Sequence, residues 1–334
     1  MTKLNKKSAI VEICSQAALK KDFNSEVDKA DYKDSIDHIK ELASNPNPNN
    51  RYELNQIVAY TVDNVIDVRL NYLPLVAEVR NTDYQERPKF KIKTQGITAF
   101  WQAIGSTTER TKVGYKYGTL ELEELSARPT AEWAEVASGR YDFAELIRDV
   151  TNEFEAKIAQ KLQETLYATF SALESPNYST GSGIVSANFD PLLIGMQRFA
   201  NCAIICDFAA ATKFASATGF ITADSTVQFS PNIIDEQIRN GFIGTYKGAP
   251  VIKLDNPYAG LTGFDTVLDA GYIYIVPAVS DQMKTVKVHF AGGTRAMEGT
   301  NIDDGSYEQR FDRLMGCGVL DARHPLAVYV DGSL

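Results

Sequence analysis

Histidine and cysteine are scarce in this chain, three and four among 334 residues, and that scarcity removes most metal and nucleophile chemistry. No C-x-x-C pair and no H-E-x-x-H run is present, so zinc has no ligand set with its usual spacing. Also missing are G-x-x-x-x-G-K-[ST], G-x-S-x-G and a G-x-G-x-x-G following a strand, which excludes the usual phosphate cradle, serine elbow and dinucleotide fingerprint. Gly181 and Gly183 read as linker glycines. Cys202 and Cys206 stand on an expected strand and read as buried thiols. The four cysteines suggest no disulfide framework, and residues 1–14 lack the apolar run of a secretory signal. No stretch approaches the roughly 18 apolar residues of a membrane span. A soluble protein of the reducing cytosol is expected, without a membrane partner. Asp303, Asp304 and Glu308 lack the calcium-loop spacing and read as an exposed acidic turn. The expectation is therefore a non-enzyme with no catalytic, cofactor-binding or metal site.

What the chain does have is an abrupt change of charge. Residues 87–118 carry Arg87, Lys89, Lys91, Lys93, Arg110, Lys112 and Lys116 against the single acid Glu109, a net charge of +6. Residues 119–174 hold 12 acids, Glu121, Glu123, Glu124, Glu132 and Glu135 among them, against 5 bases, a net −7. Complementary fields of this kind steer association and fix register, which points to a protein that binds copies of itself. An acid–base catalytic pair among these carboxylates is the weaker reading. Aromatics among the bases, with Phe100 and Trp101 nearby, also fit a nucleic-acid platform. The chain's own acids compete for those charges, however, and its overall charge of −9 opposes a whole surface built for nucleic acid or anionic membrane.

Organisation follows from periodicity. Residues 1–50, with eight lysines and eight acids, hold two short helical patterns before the breaker NPNPNN and read as an N-terminal arm, a helix docked on a neighbour, or a disordered tail. From Arg51, apolar residues recur every three or four positions to Leu70, a helix with one buried face. PKFKIK and VGYKYGTLELEEL flank a turn-like middle, so residues 87–118 read as a long two-stranded excursion whose Ile97, Phe100, Trp101 and Ile104 seek a surface to lie on, a neighbour or the chain's own body. Residues 141–173, stepping apolar from Phe143 to Phe170 without Gly or Pro, read as a spine helix ~50 Å long, with a coiled coil as the alternative. Residues 175–186 read as a turn-rich linker. A second unit of mixed helices and strands follows, including a helix over residues 230–242. The class is α+β, without strict βαβ alternation.

This order, with the arm, the spine, QIRNGFIGTYKGAPVIKLDNP and the ending QRFDRLMGCGVLDARHPLAVYV, resembles the major capsid proteins of tailed bacteriophages, the Hong Kong 97-type fold. The resemblance runs from Arg51 onward and lies in the order of parts; no single motif carries it. It implies an arm at 1–50 lying along a shell, a peripheral domain at 51–86 and 119–186 containing the spine, and an extended loop at 87–118 lying on a neighbouring subunit. It also implies an axial domain at 187–280 and return strands of the peripheral domain at 281–334. Copies would meet as hexamers and pentamers in an icosahedral virion head, made in the host cytoplasm and enclosing double-stranded DNA held by non-specific contacts. A separate scaffold, a portal and decoration proteins are the further implied partners. The encapsulin nanocompartment shell shares the fold and is the alternative, and a hydrolase with a pocket in the second unit is the reading from outside this class.

Overall fold

A computed structural model describes residues 3–19, 26–44, 47–70, 73–84, 86–102, 104, 106–107, 109–129, 143–214, 217, 219–222, 242–254, 256–259, 263–300, 307–320 and 324–334. Helices α1 (Lys3–Ala18) and α2 (Glu26–Ser44) precede α3 (Pro48–Arg69). Asn47 caps α3 by accepting the Asn50 N–H at 2.9 Å, and Pro48 sits in the first turn, where no N–H is needed. The expected stripe is buried, with Val62, Val65 and Ile66 wholly inside. A short turn of helix, α4 (Leu73–Val76), leads into β1 (Ala77–Thr82).

The spine forms as α5 (Phe143–Phe170), 28 residues or ~42 Å long. Ile147, Val150, Phe154, Ile158, Leu162, Leu166 and Phe170 are buried in one core with α3 and the first sheet, so the apolar face is used within the chain and no coiled coil is needed. The leader differs from its expectation. Ile10, Val11, Cys14, Ile39 and Leu42 enter that same core, so α1 and α2 fold onto their own subunit, on α3 and α5, and do not extend as an arm. Weak amphipathicity in a lysine-rich segment hid a handful of apolar contacts that suffice once α3 supplies a surface.

The first sheet has four strands in the order β1, β11 (Val286–Thr300), β12 (Tyr307–Val319) and β4 (Glu123–Ala127), with β1 and β11 parallel and the other pairs antiparallel. The second has seven, in the order β5 (Tyr178–Gly181), β13 (Ala327–Asp331), β10 (Tyr272–Pro277), β6 (Cys202–Cys206), β9 (Ala249–Lys253), β8 (Phe242–Tyr246) and β7 (Phe220–Thr222). Its side chains alternate between two cores. Ile205, Tyr274, Val276 and Val328 face the core of α5, while Ile204, Ile273, Ile275 and Tyr329 face α6 (Ser186–Gln197) and α7 (Phe208–Phe214). Phe189 on α6 lies edge-on to Phe214, Tyr246 and Tyr329 at 5.3–5.6 Å. Lys247 and Gly248 join β8 to β9 with φ of 47° and 85°, the two left-handed residues of a tight hairpin turn.

Three further expectations change. Residues 175–186 are not a plain linker: Tyr178–Gly181 is β5, paired in parallel with β13, and Asn177 holds it by donating to the Leu326 carbonyl at 2.8 Å. A four-residue edge strand of Tyr, Ser, Thr and Gly shows no alternation to read. Residues 281–334 do not return together, because β13 joins the seven-stranded sheet between β5 and β10. Among its described residues the two-stranded excursion is paired only at its root, β2 (Phe90–Gln95) with β3 (Gly114–Gly118), since an isolated ribbon is marginal where nothing backs it. Of the helix expected over 230–242, only Phe242 is described, and it opens strand β8; the rest of that helix and the acidic turn at 301–305 lie outside the described residues.

Phe154→Ala is expected to cost about 3–5 kcal/mol by opening a cavity where α5 meets α3. Urea unfolding of the free subunit measures it.

Candidate subunit-contact surface

The loop leaves from the face of the four-stranded sheet opposite α3 and α5, and three features of that face seat it. In the β1–β11–β12 register, Glu78 lies beside Lys287 and Gly318, and Arg80 beside His289 and Gly316. Lys287 is fully buried, its Nζ 2.6 Å from Glu78 Oε2, and Arg80 donates to Glu78 Oε1 at 2.6 and 2.9 Å. One buried carboxylate thus answers two cations, and removing it would strand a charge at a cost of several kcal/mol. Arg80 then reaches the loop, with its guanidinium 4.7 Å from the Phe90 ring centroid and Nη1 donating to the Lys89 carbonyl at 3.1 Å.

The glycines set how closely the returning leg lies. A β-carbon at Gly318 would stand 2.7 Å from Leu120 Cδ2, and one at Gly316 would stand 2.7 Å from the Glu121 carbonyl oxygen. Leu120, Phe90 and Ile92 are buried here, so the root is anchored by apolar contacts on bare backbone. The Nε2 of His289 and Oγ1 of Thr82 are 2.7 Å apart in the same layer. Burial pushes the His289 pKa below its ordinary value, against a smaller opposing pull from Glu86.

Beyond the root the loop is solvent-exposed. Ile97, Trp101 and Ile104 have relative exposures of 75%, 104% and 107%, and Phe100 is also exposed. Arg87, Lys89, Lys93, Arg110, Lys112 and Lys116 are exposed, while Lys91 is half-buried with its Nζ 3.7 Å from the Tyr115 ring centroid. The tip therefore combines bases with apolar surface that a soluble monomer rarely displays.

The acidic candidates divide. Glu121 is exposed at the end of the loop. Glu123 accepts from Lys161 at 2.8 Å, a bond that raises the lysine's pKa, and Glu124 accepts from Arg295 and Arg310 at 3.0 and 3.2 Å. Both are thus engaged within their own chain. Sequence counting missed these partners because Arg295 and Arg310 come from distant strands. Glu132 and Glu135 lie outside the described residues. Also unforeseen is a second apolar projection: Tyr258 and Phe264, 60% and 87% exposed, meet edge-on at 5.7 Å on a hairpin clamped by the Asn256 side chain to the Leu268 backbone.

Among the described residues no His, Cys, Asp and Glu cluster is placed to hold a metal, and no helix is long and apolar enough to cross a membrane. Burial pushes the thiols of Cys202 and Cys206 up to about 11 and about 12, so both are protonated and inert near neutrality. The geometry offers a rigid body with an apolar, basic projection, and a way to bind a partner.

A two-core body with a long spine helix and an extended loop is the Hong Kong 97-type fold of tailed-phage capsid proteins. The mature capsid of bacteriophage PhiM1 aligns over 78% of this chain and 86% of its own, at 12% identity and a TM-score of 0.51. Microbacterium phage Oxtober96 gives 76% and 89%, at 13% and 0.51, and the capsid of an empty GTA particle 77% and 88%, at 14% and 0.51. No curated protein matches the chain. The chain belongs to the family described as "SPbeta prophage-derived putative capsid protein YonB", whose pattern covers residues 1–329, and its role is that of a structural capsid protein.

Two outcomes are expected. Gly318→Val should displace Leu120 and loosen the loop root while the body stays folded, seen as faster proteolysis within residues 86–121 and an unchanged far-ultraviolet spectrum. For His289, a depressed pKa means that the folded chain resists protonation, so its contribution is whole above the ordinary histidine value of about 6.5 and is lost as pH falls below it. The thermal midpoint should fall through that window, and fall less in His289→Gln.

Proposed function

We propose that the protein is the major capsid protein of a tailed phage, closing in many copies into an icosahedral head around double-stranded DNA. The observation that carries this reading is the tip at 97–104: apolar side chains in full contact with water, flanked by bases, on a root fixed to the sheet. Such a surface is stable in solution only if it is covered, and a second copy brings an acidic region to cover it. In this reading the layer of α3, α5 and the four-stranded sheet is the peripheral part of the shell. The seven-stranded sheet is the axial part that meets its copies in hexamers and pentamers. A closed shell needs one surface patch to meet a different patch on the next copy, which a projecting loop supplies. The prophage origin of the family favours a phage head over a nanocompartment. A separate scaffold, a portal and decoration proteins would join it in the virion, and DNA would be held by non-specific contact.

The engagement of Glu123 and Glu124 within the chain shifts weight in the loop contact from charge pairing to the apolar tip. Replacing Lys89, Lys91 and Lys93 together by Glu should leave the subunit folded but impair assembly by making like charges meet. Trp101→Ala should weaken assembly as well, since aromatic anchors dominate interface energetics. Electron micrographs and sedimentation of the expressed chain, with scaffold supplied, read both. Normal shells from both the triple variant and Trp101→Ala would refute the loop contact.

A further inference from the structure

Between α5 and β4 runs a cleft of about 250 Å³ on the opposite face of the first sheet from the loop root. Ligand pockets commonly span roughly 300–1,000 Å³, so this cleft is short of a small-molecule site and closer to the volume of one large side chain. Its floor is apolar and sulfur-bearing: Leu125, Ile158, Met315 and Cys317. Its rim carries Glu123, Glu124 and Glu164 with Lys157 and Lys161, and exposed Glu121 lies two residues before Glu123.

Resting on the reading of the loop as a contact between subunits, we infer that this cleft receives the indole of Trp101 from a second copy of the chain. Three observations select that occupant. Trp101 is fully exposed at the tip, so it does not fill its own subunit's cleft. The reason is visible in β12: Gly316 and Gly318, under the loop root, alternate with Met315 and Cys317, which point into the cleft, so each loop departs from the face away from its own cleft. The chemistry also matches. Indole packs favourably against thioether and thiol sulfur, and Lys157 and Lys161 on the rim sit where they can meet its ring face.

The cleft supplies its own reporter, because Cys317 is half-buried there while Cys14, Cys202 and Cys206 are buried. Burial pushes the Cys317 thiol up to about 11, so labelling is run at mildly alkaline pH, with its labelling in the free subunit as the control. Assembled shells of Gln102→Cys, next to the indole, are treated with a short-spacer bis-maleimide and run on a denaturing gel. The expected result is a ladder of chains joined through residues 102 and 317, absent from shells of Gln102→Cys with Cys317→Ser. In wild-type protein, Cys317 should react with a monofunctional maleimide more slowly in shells than in free subunits. Shells with no ladder, or with Cys317 labelling as fast as in the free chain, would overturn the cleft assignment and leave the loop contact itself standing. A wild-type chain that never assembles, scaffold included, would overturn the parent reading and this one with it.

Discussion

Side chains on β12 alternate between two covered faces: Met315 and Cys317 turn toward α5, while Gly316 and Gly318 turn toward the returning leg of the loop. A strand in this position cannot be ordinary. Toward the helix it needs bulk to fill a core; toward the loop it must offer almost nothing, because Leu120 and the Glu121 carbonyl occupy the space a β-carbon would take. The direction of the loop, the depth of its root and the separation of root from cleft all follow from this alternation. The first sheet is thus the middle layer of three, with helices below and the base of a projecting arm above.

Several buried charges in those layers are paired. Glu78 is shared by Lys287 and Arg80 beneath the loop, and Arg313, itself buried, reaches Asp63 and Asp67 on α3 at 2.9 and 3.2 Å. Asp63 also accepts the Thr294 N–H at 2.8 Å, within the irregularity in β11 between Ala291 and Arg295. Buried pairs of this sort add little net stability compared with apolar packing, yet breaking one partner is costly. They therefore act against misregistered alternatives: a one-residue slip of β1 along β11 would part Glu78 from Lys287 and turn Glu78 toward the helices, leaving Lys287 buried without its partner.

Strong periodicity made some of this legible in the sequence. The stripes of α3 and α5 were plain because apolar residues recur every three or four positions over several turns, and the exposed apolar tip stood out as a cluster with no obvious cover. Elsewhere the signal was local and the cause distant. The leader's few core residues are diluted by lysines, and β5 is too short to alternate. Glu123 and Glu124 looked like free surface acids because Lys161, Arg295 and Arg310 meet them only after folding. The alternating glycines of MGCGV were the one overlooked cue that could have been read, since two glycines on one face of a strand mark a close backbone approach.

The position of β13 has a consequence for how subunits are made. This strand lies between β5 and β10, yet it is synthesised after every other strand of its sheet. Until residues 327–331 have emerged from the ribosome, β5 has no neighbour and Phe189 lacks the Tyr329 ring that closes its aromatic cluster. A partly made chain can form the helical layer early but holds an open second sheet. A chain cut short before β13 thus lacks the strand that joins β5 to the rest of its sheet.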